Sequence, residues 1–234
     1  SKGQNMKIGF TGLNLPEGKN KYEDKILLAL ANKDKPKKIS PFFVEFLKNE
    51  FLDSDAIVVH EDYLLDILIF DIDKIEGRIN RSDNQDEKDL LKKCLSHLEK
   101  EQPLCTMKYN NSESEILKTL SPYSYKPVIQ ISGEYNVNDI IEIILKKTFN
   151  MFFYTSGPSE SRAWLVPSGS DIVACASKIH SDLARGFIKG DVVSYDDYMS
   201  CHNFNECKSK GVAKMVDRDY IVQPNEIIEI RFNV

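Results

Sequence analysis

The middle of this chain contains five apolar residues at helical spacing, between stretches of a different pattern. Leu65, Leu68, Ile72, Ile75 and Ile79 are 3, 4, 3 and 4 residues apart, which is the period of an apolar stripe along a helix. After turn residues at 80–84 the same period resumes at Leu91, Cys94, Leu95 and Leu98. Two such helices joined by a short polar turn predict an antiparallel helical hairpin at residues 63–102.

Short apolar and β-branched runs lie on both sides of this hairpin and predict buried strands. They are residues 6–11, 56–60 and 127–132. Helical spacing is found at residues 22–31, at 43–51 after Ser40 and Pro41, and at 140–145. Strands that alternate with helices predict an α/β layer on a parallel sheet, formed by residues 6–62 and 103–151 with the hairpin inserted.

The pattern of predicted secondary structure changes near Met151. From residue 152 onward the chain reads as short strands and turns with one helix, and residues 227–232 alternate like a strand. The helix is predicted at about 171–185, with Ile172, Cys175, Ala176 and Ile179 on one face and Gly186 as its stop signal. Residues 152–234 are therefore predicted to form a separate C-terminal domain.

Charge and cysteine content exclude several classes of function. The chain has 31 basic and 36 acidic residues, a net charge of −5, so tight binding to generic nucleic acid is not expected. Five cysteines without a Cys-x-x-Cys motif argue against a disulfide framework or a zinc ribbon. No apolar stretch approaches the roughly 20 residues that span a bilayer. We expect a cytoplasmic protein with no membrane partner.

Four stretches of the C-terminal part carry a resemblance to a known family. They are residues 152–164 (FFYTSGPSESRAW), 179–188 (IHSDLARGFI), 219–223 (DYIVQ) and 231–234 (RFNV). They resemble the C-terminal TGS domain of the YchF/Obg-like ATPases, which implies a β-grasp, ubiquitin-like fold. Weaker similarity continues upstream at 55–60, 98–104 and 125–128. The resemblance implies the whole family layout, with a reduced P-loop nucleotide domain.

The stretch that would be the phosphate loop departs from the family pattern. A working P-loop is Gly-x-x-x-x-Gly-Lys-Ser/Thr, whose backbone N–H groups hold the phosphates and whose hydroxyl binds Mg²⁺. Here five residues, not four, separate Gly12 from Gly18, and Asn20 follows Lys19 where the hydroxyl should be. If ATP or GTP with Mg²⁺ bound at all, these four residues would hold it. We expect no cofactor.

Two further parts of the family's nucleotide site are also missing from the sequence. The interval 31–55 has no switch loop and no Asp-x-x-Gly metal motif, so no group positions an attacking water. Gly133 stands where the resemblance places the Asn that reads the purine, and Asn136 or Glu134 could replace it only with a shifted loop. Asp71 follows an apolar run, as a metal-binding Asp at the end of a strand does. The helical spacing of the apolar residues from Leu65 to Ile79 favours instead a solvated carboxylate on a helix.

Other candidate chemistry is sparse. His180 is interpreted as a helix-face residue that makes a hydrogen bond within the C-terminal domain, rather than as a catalytic group. Cys201, His202 and Cys207 fit no standard zinc spacing, and no metal site is predicted. The lone Trp164 is predicted to be a core residue. We predict no catalytic residues.

The sequence therefore favours a non-catalytic relative that acts by binding. The resemblance implies that the TGS domain contacts a protein, a ribosome or another structured RNA, and Arg162, Arg185, Lys189 and Arg231 are the candidate contact residues. The alternative is a divergent nucleotide-binding protein or NTPase with residual phosphate binding at the Gly12–Asn20 loop, where Gly12, Gly18 and Lys19 at a helix N-terminus would favour an anion. A third hypothesis is self-association through the hairpin, and the oligomeric state stays open.

Overall fold

A computed structural model describes residues 5–234 of the chain. Those residues form two compact units. The first unit comprises residues 5–20 and 44–148, and the second comprises residues 21–43 and 149–234. The chain therefore leaves the first unit after residue 20, returns to it at residue 44, and ends in the second unit.

The elements of these residues are numbered in chain order. The strands are β1 (Met6–Thr11), β2 (Gly18–Lys21), β3 (Lys38–Ser40), β4 (Phe43–Lys48), β5 (Ala56–His60), β6 (Val128–Ile131), β7 (Asn150–Ser156), β8 (Glu160–Pro167), β9 (Phe187–Val193), β10 (Lys214–Val216) and β11 (Ile227–Phe232). The α-helices are α1 (Lys25–Asp34), α2 (Leu64–Arg81), α3 (Gln85–Glu99), α4 (Asn111–Leu120), α5 (Val137–Lys147), α6 (Ile172–Ile179), α7 (Ser181–Arg185), α8 (Tyr195–Ser200) and α9 (Phe204–Ser209).

The first unit is built on a five-stranded sheet in the order β2-β4-β1-β5-β6. β1 runs parallel to both β4 and β5, and β5 runs parallel to β6. Residues 56–59 are all fully buried, which explains why β5 reads as a continuous apolar run and not as an alternation. The predicted parallel strands around a helical hairpin are present, and the mixed α/β class is confirmed.

The helix predicted at residues 43–51 is wrong. Residues 43–48 form β4, which pairs with β1 from Met6 opposite Val44 to Phe10 opposite Lys48. Val44 and Phe46 are completely buried, and they are two residues apart, as the side chains on one face of a strand are. Phenylalanines at positions 43, 46 and 51 satisfy a helical spacing by coincidence, and pairing with a neighbouring strand overrides it.

Helices α2 and α3 form the predicted hairpin of the first unit. Arg78 Nε donates to Glu87 Oε1 at 2.7 Å across the turn, and Asn84 caps α3 by accepting from the Glu87 N–H at 3.0 Å. Their apolar faces share one core with residues of β5 and α4. The sequence reading missed α4, whose start is a capping box between Asn110 and Glu113 inside a polar stretch.

The second unit contains a six-stranded sheet in the order β10-β9-β11-β7-β8-β3. β7 and β8 are antiparallel, as are β9 with β10 and β9 with β11, whereas β11 runs parallel to β7 and β3 runs parallel to β8. Helix α6 supplies Ile172, Cys175 and Ala176, all fully buried, to the core that includes Phe153 and Trp164. The prediction that Trp164 is a core residue is confirmed.

The helix predicted at 171–185 is broken in two. His180 adopts an extended backbone between α6 and α7, and its Nδ1 accepts from the Asp182 N–H at 3.0 Å, so it caps α7. Gly186 follows α7 with φ −98°, which is not the left-handed geometry of a glycine stop. A Cβ there would lie 2.4 Å from the Asn233 backbone oxygen, so close packing requires this glycine.

Residues 21–43 belong to the second unit, although the sequence suggested that they form part of the nucleotide domain with residues 6–62. Within the second unit, Tyr154 Oη donates to Asp24 Oδ2 at 2.7 Å, and Tyr22 stacks on Phe152 with ring centroids 5.6 Å apart. β3 adds to the edge of the sheet beside β8. Pairing between residues about 120 positions apart leaves no local sequence signal.

Candidate functional site

The residues that follow β1 decide whether this chain can hold a nucleotide in the way that the YchF/Obg-like ATPases it resembles do. Gly12 has φ +71°, and a Cβ there would lie 2.4 Å from the Tyr63 ring, so only glycine fits. From Gly18 to Lys21 the chain forms strand β2, and α1 begins only at Lys25. The hypothesis that Lys19 lies at a helix N-terminus is therefore wrong.

Polar groups of this loop bond within the first unit. The Asn14 N–H donates to Tyr135 Oη at 2.8 Å, which joins the loop after β1 to the loop after β6. Asn20 Nδ2 donates to the carbonyl oxygens of Pro16 at 2.8 Å and Gly18 at 2.9 Å. In a P-loop, backbone N–H groups face the phosphates and the residue after the Lys binds Mg²⁺. Here Asn20 bonds back to its own loop, and Asn14 bonds that loop to the loop after β6.

The N-terminus of α1 is occupied by a carboxylate of the same unit. Asp24 Oδ1 accepts from the N–H groups of Ile26 at 2.9 Å and Leu27 at 3.1 Å. Its other oxygen accepts from Tyr154 Oη, and burial is the main reason that the pKa of Tyr154 is raised well above its ordinary value. A phosphate would be repelled by this carboxylate.

Asp71 is not the solvated carboxylate that the sequence suggested. Its side chain is 1% exposed in the first unit, and it accepts from the N–H groups of Tyr123 at 2.6 Å and Ser124 at 2.8 Å. Burial raises its pKa, and these hydrogen bonds partly oppose the rise. Asp71 therefore anchors the base of the hairpin to residues 123–125 and is neither a metal ligand nor a surface charge.

In the loop after β6, Gly133 stands where the resemblance places the base-reading Asn. Gly133 has φ +72° and open space around it. Asn136 accepts from the Asp139 N–H at 2.9 Å and caps α5, so this amide already has a structural role. Asn136 is therefore no ready substitute for the family's purine-reading Asn.

Three of the four predicted contact residues form ion pairs within the second unit. Arg231 donates to both oxygens of Asp191, at 2.7 and 2.9 Å, and the side chain of Asp191 is 3% exposed. Arg185 pairs with Asp182 at 2.8 Å, and Lys189 pairs with Asp217.

Arg162 differs from these three. Its guanidinium lies over the Trp164 ring, 3.8 Å from the ring centroid. The charges of Arg185, Lys189 and Arg231 are thus balanced by neighbouring aspartates, whereas the structure gives Arg162 an aromatic neighbour.

Cys201, His202 and Cys207 were considered as metal ligands in the sequence analysis. Cys201 and Cys207 are buried, and burial is the main reason that the pKa of Cys207 rises to about 12. Among residues 5–234, no group of three or more His, Cys, Asp or Glu side chains is placed to hold a metal ion. Within the same residues, no helix combines the length and apolar character needed to cross a membrane.

The sequence reading missed a polar cluster beside α1. Asp34 accepts from Ser156 Oγ at 2.6 Å and Tyr198 Oη at 2.5 Å, and it pairs with Lys33 at 3.2 Å. These residues line a cleft of about 410 Å³ in the second unit. Lys33 also donates to the His202 carbonyl, so the polar groups of the cleft are bonded to each other. The lysine-rich stretch around Asp34 gave no sign of this role.

Comparison with known proteins identifies the class. The fold is that of a YchF GTPase: the solved structure of the Schizosaccharomyces pombe YchF GTPase superposes with a TM-score of 0.77 at 17% identity, covering 99% of both chains. Residues 151–233 match the family model described as YchF-GTPase_C, protein of unknown function (DUF933). The chain is therefore similar to YchF proteins, and the match to the family model lies in residues 151–233.

Curated relatives agree with this assignment. The Ribosome-binding ATPase YchF of Buchnera aphidicola (Acyrthosiphon pisum) is 25% identical over 210 residues, which cover 67% of this chain and 58% of the relative. The protein of that name in Bacillus subtilis is 24% identical over 247 residues, covering 77% and 68%. The rat Obg-like ATPase 1 is 39% identical over 82 residues, covering 35% and 21%. The chain thus spans less than two thirds of the Buchnera relative.

Proposed function

We propose that this chain is a non-catalytic member of the YchF family that acts as a ribosome-linked binding module. Two relatives are named ribosome-binding ATPases, which supports the ribosomal link and leaves the catalytic role to be judged from the site. The observation that carries the proposal is the entry of the Gly12–Asn20 loop into strand β2 and not into a helix.

Loss of the helix removes the physical basis of phosphate binding. In a P-loop the helix N-terminus presents unpaired N–H groups and a partial positive charge to the phosphates. Here β2 follows the loop, and the N-terminus of α1 is already capped by Asp24. The Asn14 N–H also donates to Tyr135 Oη, so this loop N–H already has an acceptor within the chain.

The interval that would hold the switch loops supports the same proposal. Residues 31–55 are used by the end of α1, by β3 and by β4, and only short connections remain between them. The alignment with the Bacillus subtilis relative runs over 247 positions, more than the 234 residues of this chain, so the relative has segments that this chain lacks. No element is left to position a water for hydrolysis.

The second unit is proposed to be the contact domain. Among its strands β7 to β11 there are three antiparallel pairings, and the first and last of these strands, β7 and β11, are parallel neighbours at the centre, as in a β-grasp fold. This topology supports assigning residues 152–234 to a TGS domain, with residues 21–43 packed on it. The remaining parts are proposed to be a reduced P-loop domain and the hairpin at 63–102.

Two assays test this function. Purified protein should release no phosphate from ATP or GTP with Mg²⁺ above background, and it should co-sediment with purified ribosomal subunits in physiological salt. Phosphate release that Lys19→Ala abolishes would instead establish the alternative, a divergent NTPase. Absence from the ribosomal pellet would refute the ribosomal role, which is also the basis for proposing a cytoplasmic location.

A further inference from the structure

We propose that Lys35, Lys37, Lys38 and Arg162 form an RNA-binding edge on the second unit, which contacts the phosphates of ribosomal RNA. The inference rests on the ribosome-linked function proposed above and names the surface that would carry it. This surface, called the β3 edge below, differs from the Arg185, Lys189 and Arg231 positions that the sequence suggested.

The backbone of the β3 edge is held in place by the rest of the second unit. Lys35 ends α1 in a left-handed conformation, φ +46°, and its N–H donates to the Ala31 carbonyl at 2.9 Å. The N–H groups of Lys37 and Lys38 donate to the carbonyls of Pro158 at 3.1 Å and Ser159 at 3.2 Å. The lysines therefore extend from a fixed backbone, so little ordering is required when a ligand binds.

The charges of the β3 edge are available to a partner. All three lysines are exposed, and no ion pair to Lys35 or Lys37 is formed within residues 5–234. Lys38 lies 4.0 Å from Glu160, with 71% of its side chain exposed. The neighbouring Asp34 carboxylate is already bound by Lys33, Ser156 and Tyr198. A local positive charge thus persists in a chain whose net charge is −5.

Arg162 extends the same surface. It is in register with Ser40 of β3, and Lys38 is in register with Glu160, so Lys38 and Arg162 point to one face of the sheet. The guanidinium of Arg162 lies over the Trp164 ring, 3.8 Å from the ring centroid. This arrangement holds the cation in place and leaves its N–H groups to bind an oxygen ligand such as a phosphate.

RNA fits these observations better than a protein strand does. The outer side of β3 is an unpaired strand edge, and lysine and proline at such an edge discourage pairing with another strand. Lys37 and Lys38 lie between Pro36 and Pro41, so strand addition by a protein is disfavoured. Phosphate contacts need exposed cations, and this edge supplies them.

The test compares two triple variants of the full chain that carry the same charge. Lys35→Glu/Lys37→Glu/Lys38→Glu changes the edge, and Lys92→Glu/Lys146→Glu/Lys147→Glu changes exposed lysines of the first unit. Each replacement alters the charge by two, so both variants go from −5 to −11. Glutamate keeps the β3 edge charged, so its protection against strand pairing is retained in both.

Binding is measured with protein-free ribosomal RNA and with intact ribosomal subunits over a range of salt concentrations. We expect the edge variant to bind RNA at least about tenfold more weakly than the control, with a salt slope lower by about two to three because each lost phosphate contact contributes nearly one. The melting temperatures of both variants should match, which excludes unfolding as the cause.

Each other outcome overturns a distinct claim. Equal RNA binding by the two variants would refute the β3 edge and leave the ribosomal function standing. Wild-type binding to subunits but not to protein-free RNA would refute RNA as the ligand, and a ribosomal protein would take its place. Failure of the wild type to bind either probe would refute the proposed function itself, and the β3 edge with it.

Discussion

The two units place their polar groups in opposite ways. In the first unit, the polar groups near the carboxyl ends of the parallel strands bond to other parts of the same unit, as Asn14 does with Tyr135 and Asn20 does with Pro16. In the second unit, ion pairs satisfy some of the cations, and the lysines of the β3 edge stay exposed. Hydrogen bonds within the first unit already occupy these polar groups, whereas in the second unit exposed lysines carry surface charge.

The largest effect is expected at Asp71 in the first unit. Asp71→Ala leaves the half-buried N–H group of Tyr123 and the buried N–H group of Ser124 without an acceptor, so the free energy of unfolding should fall by about 2–4 kcal/mol. Denaturant unfolding measures the loss. Asp73→Ala, at an exposed position on the same helix, is the control and should change stability little. Equal losses in the two variants would contradict the structural role of Asp71.

The pH dependence of stability sharpens the same point. Because burial raises the pKa of Asp71 above its ordinary 3.8, the folded chain holds this proton to a higher pH than the unfolded chain does. The stabilisation of the fold that comes from this proton on Asp71 is therefore fully present below about pH 4. It declines as the pH rises through the folded-state pKa of Asp71. Asp71→Asn does not titrate, so the advantage of the wild type over this variant should shrink as the pH increases from 4 and then level off. If the stability difference between the wild type and Asp71→Asn instead grew with pH, the pKa of Asp71 would be lowered by folding and not raised.

Local pattern predicted the helical hairpin because both of its helices satisfy their period within a few turns. The same rule failed for residues 43–51, where pairing with β1 determines the conformation. It also failed for Asp71, because the partners that bury this residue are about 52 positions away in sequence. Burial of a charged residue depends on tertiary packing, and a single sequence does not encode its partners locally.

In the second unit, we expect a smaller loss of stability when a cation paired with a buried carboxylate is removed, and almost none when a cation of an exposed ion pair is removed. Arg231→Ala removes both hydrogen bonds to the buried carboxylate of Asp191 and leaves it with Lys208 at 3.8 Å, so stability should decrease measurably. Arg185→Ala removes a pair whose arginine side chain is 73% exposed, and it should leave stability nearly unchanged. Calorimetric melting of the two variants makes the comparison. A larger loss for Arg185→Ala would show that the pairing of Arg231 is not structural.

The candidate contact residues show where sequence reasoning about a site reaches its limit. The family motif drew attention to Arg162, Lys189 and Arg231 as contact residues. It gave no hint that Asp191 and Asp217 neutralise Arg231 and Lys189. The lysines at 35–38 read as a charged loop of another domain. Only the pairing of β3 with β8 brings them beside Arg162. Residues that are far apart in sequence formed this surface, so no motif contained it.

The smallest expected effect is the response to nucleotide. With no helix behind Lys19, we expect a dissociation constant of about 1 mM or weaker for ATP or GTP with Mg²⁺, which is roughly 4 kcal/mol of binding free energy. Nucleotide at about 1 mM then stabilises the fold by RT ln 2, or about 0.4 kcal/mol, which shifts the melting temperature by roughly 1–2 °C. A micromolar site under the same conditions would give about 4 kcal/mol and a shift near 10 °C, so scanning fluorimetry separates the two cases. Lys19→Ala is the control, and it should show the same small shift as the wild type. A large shift that Lys19→Ala removes would show that the first unit still binds phosphate, and the contrast between the two units would fail.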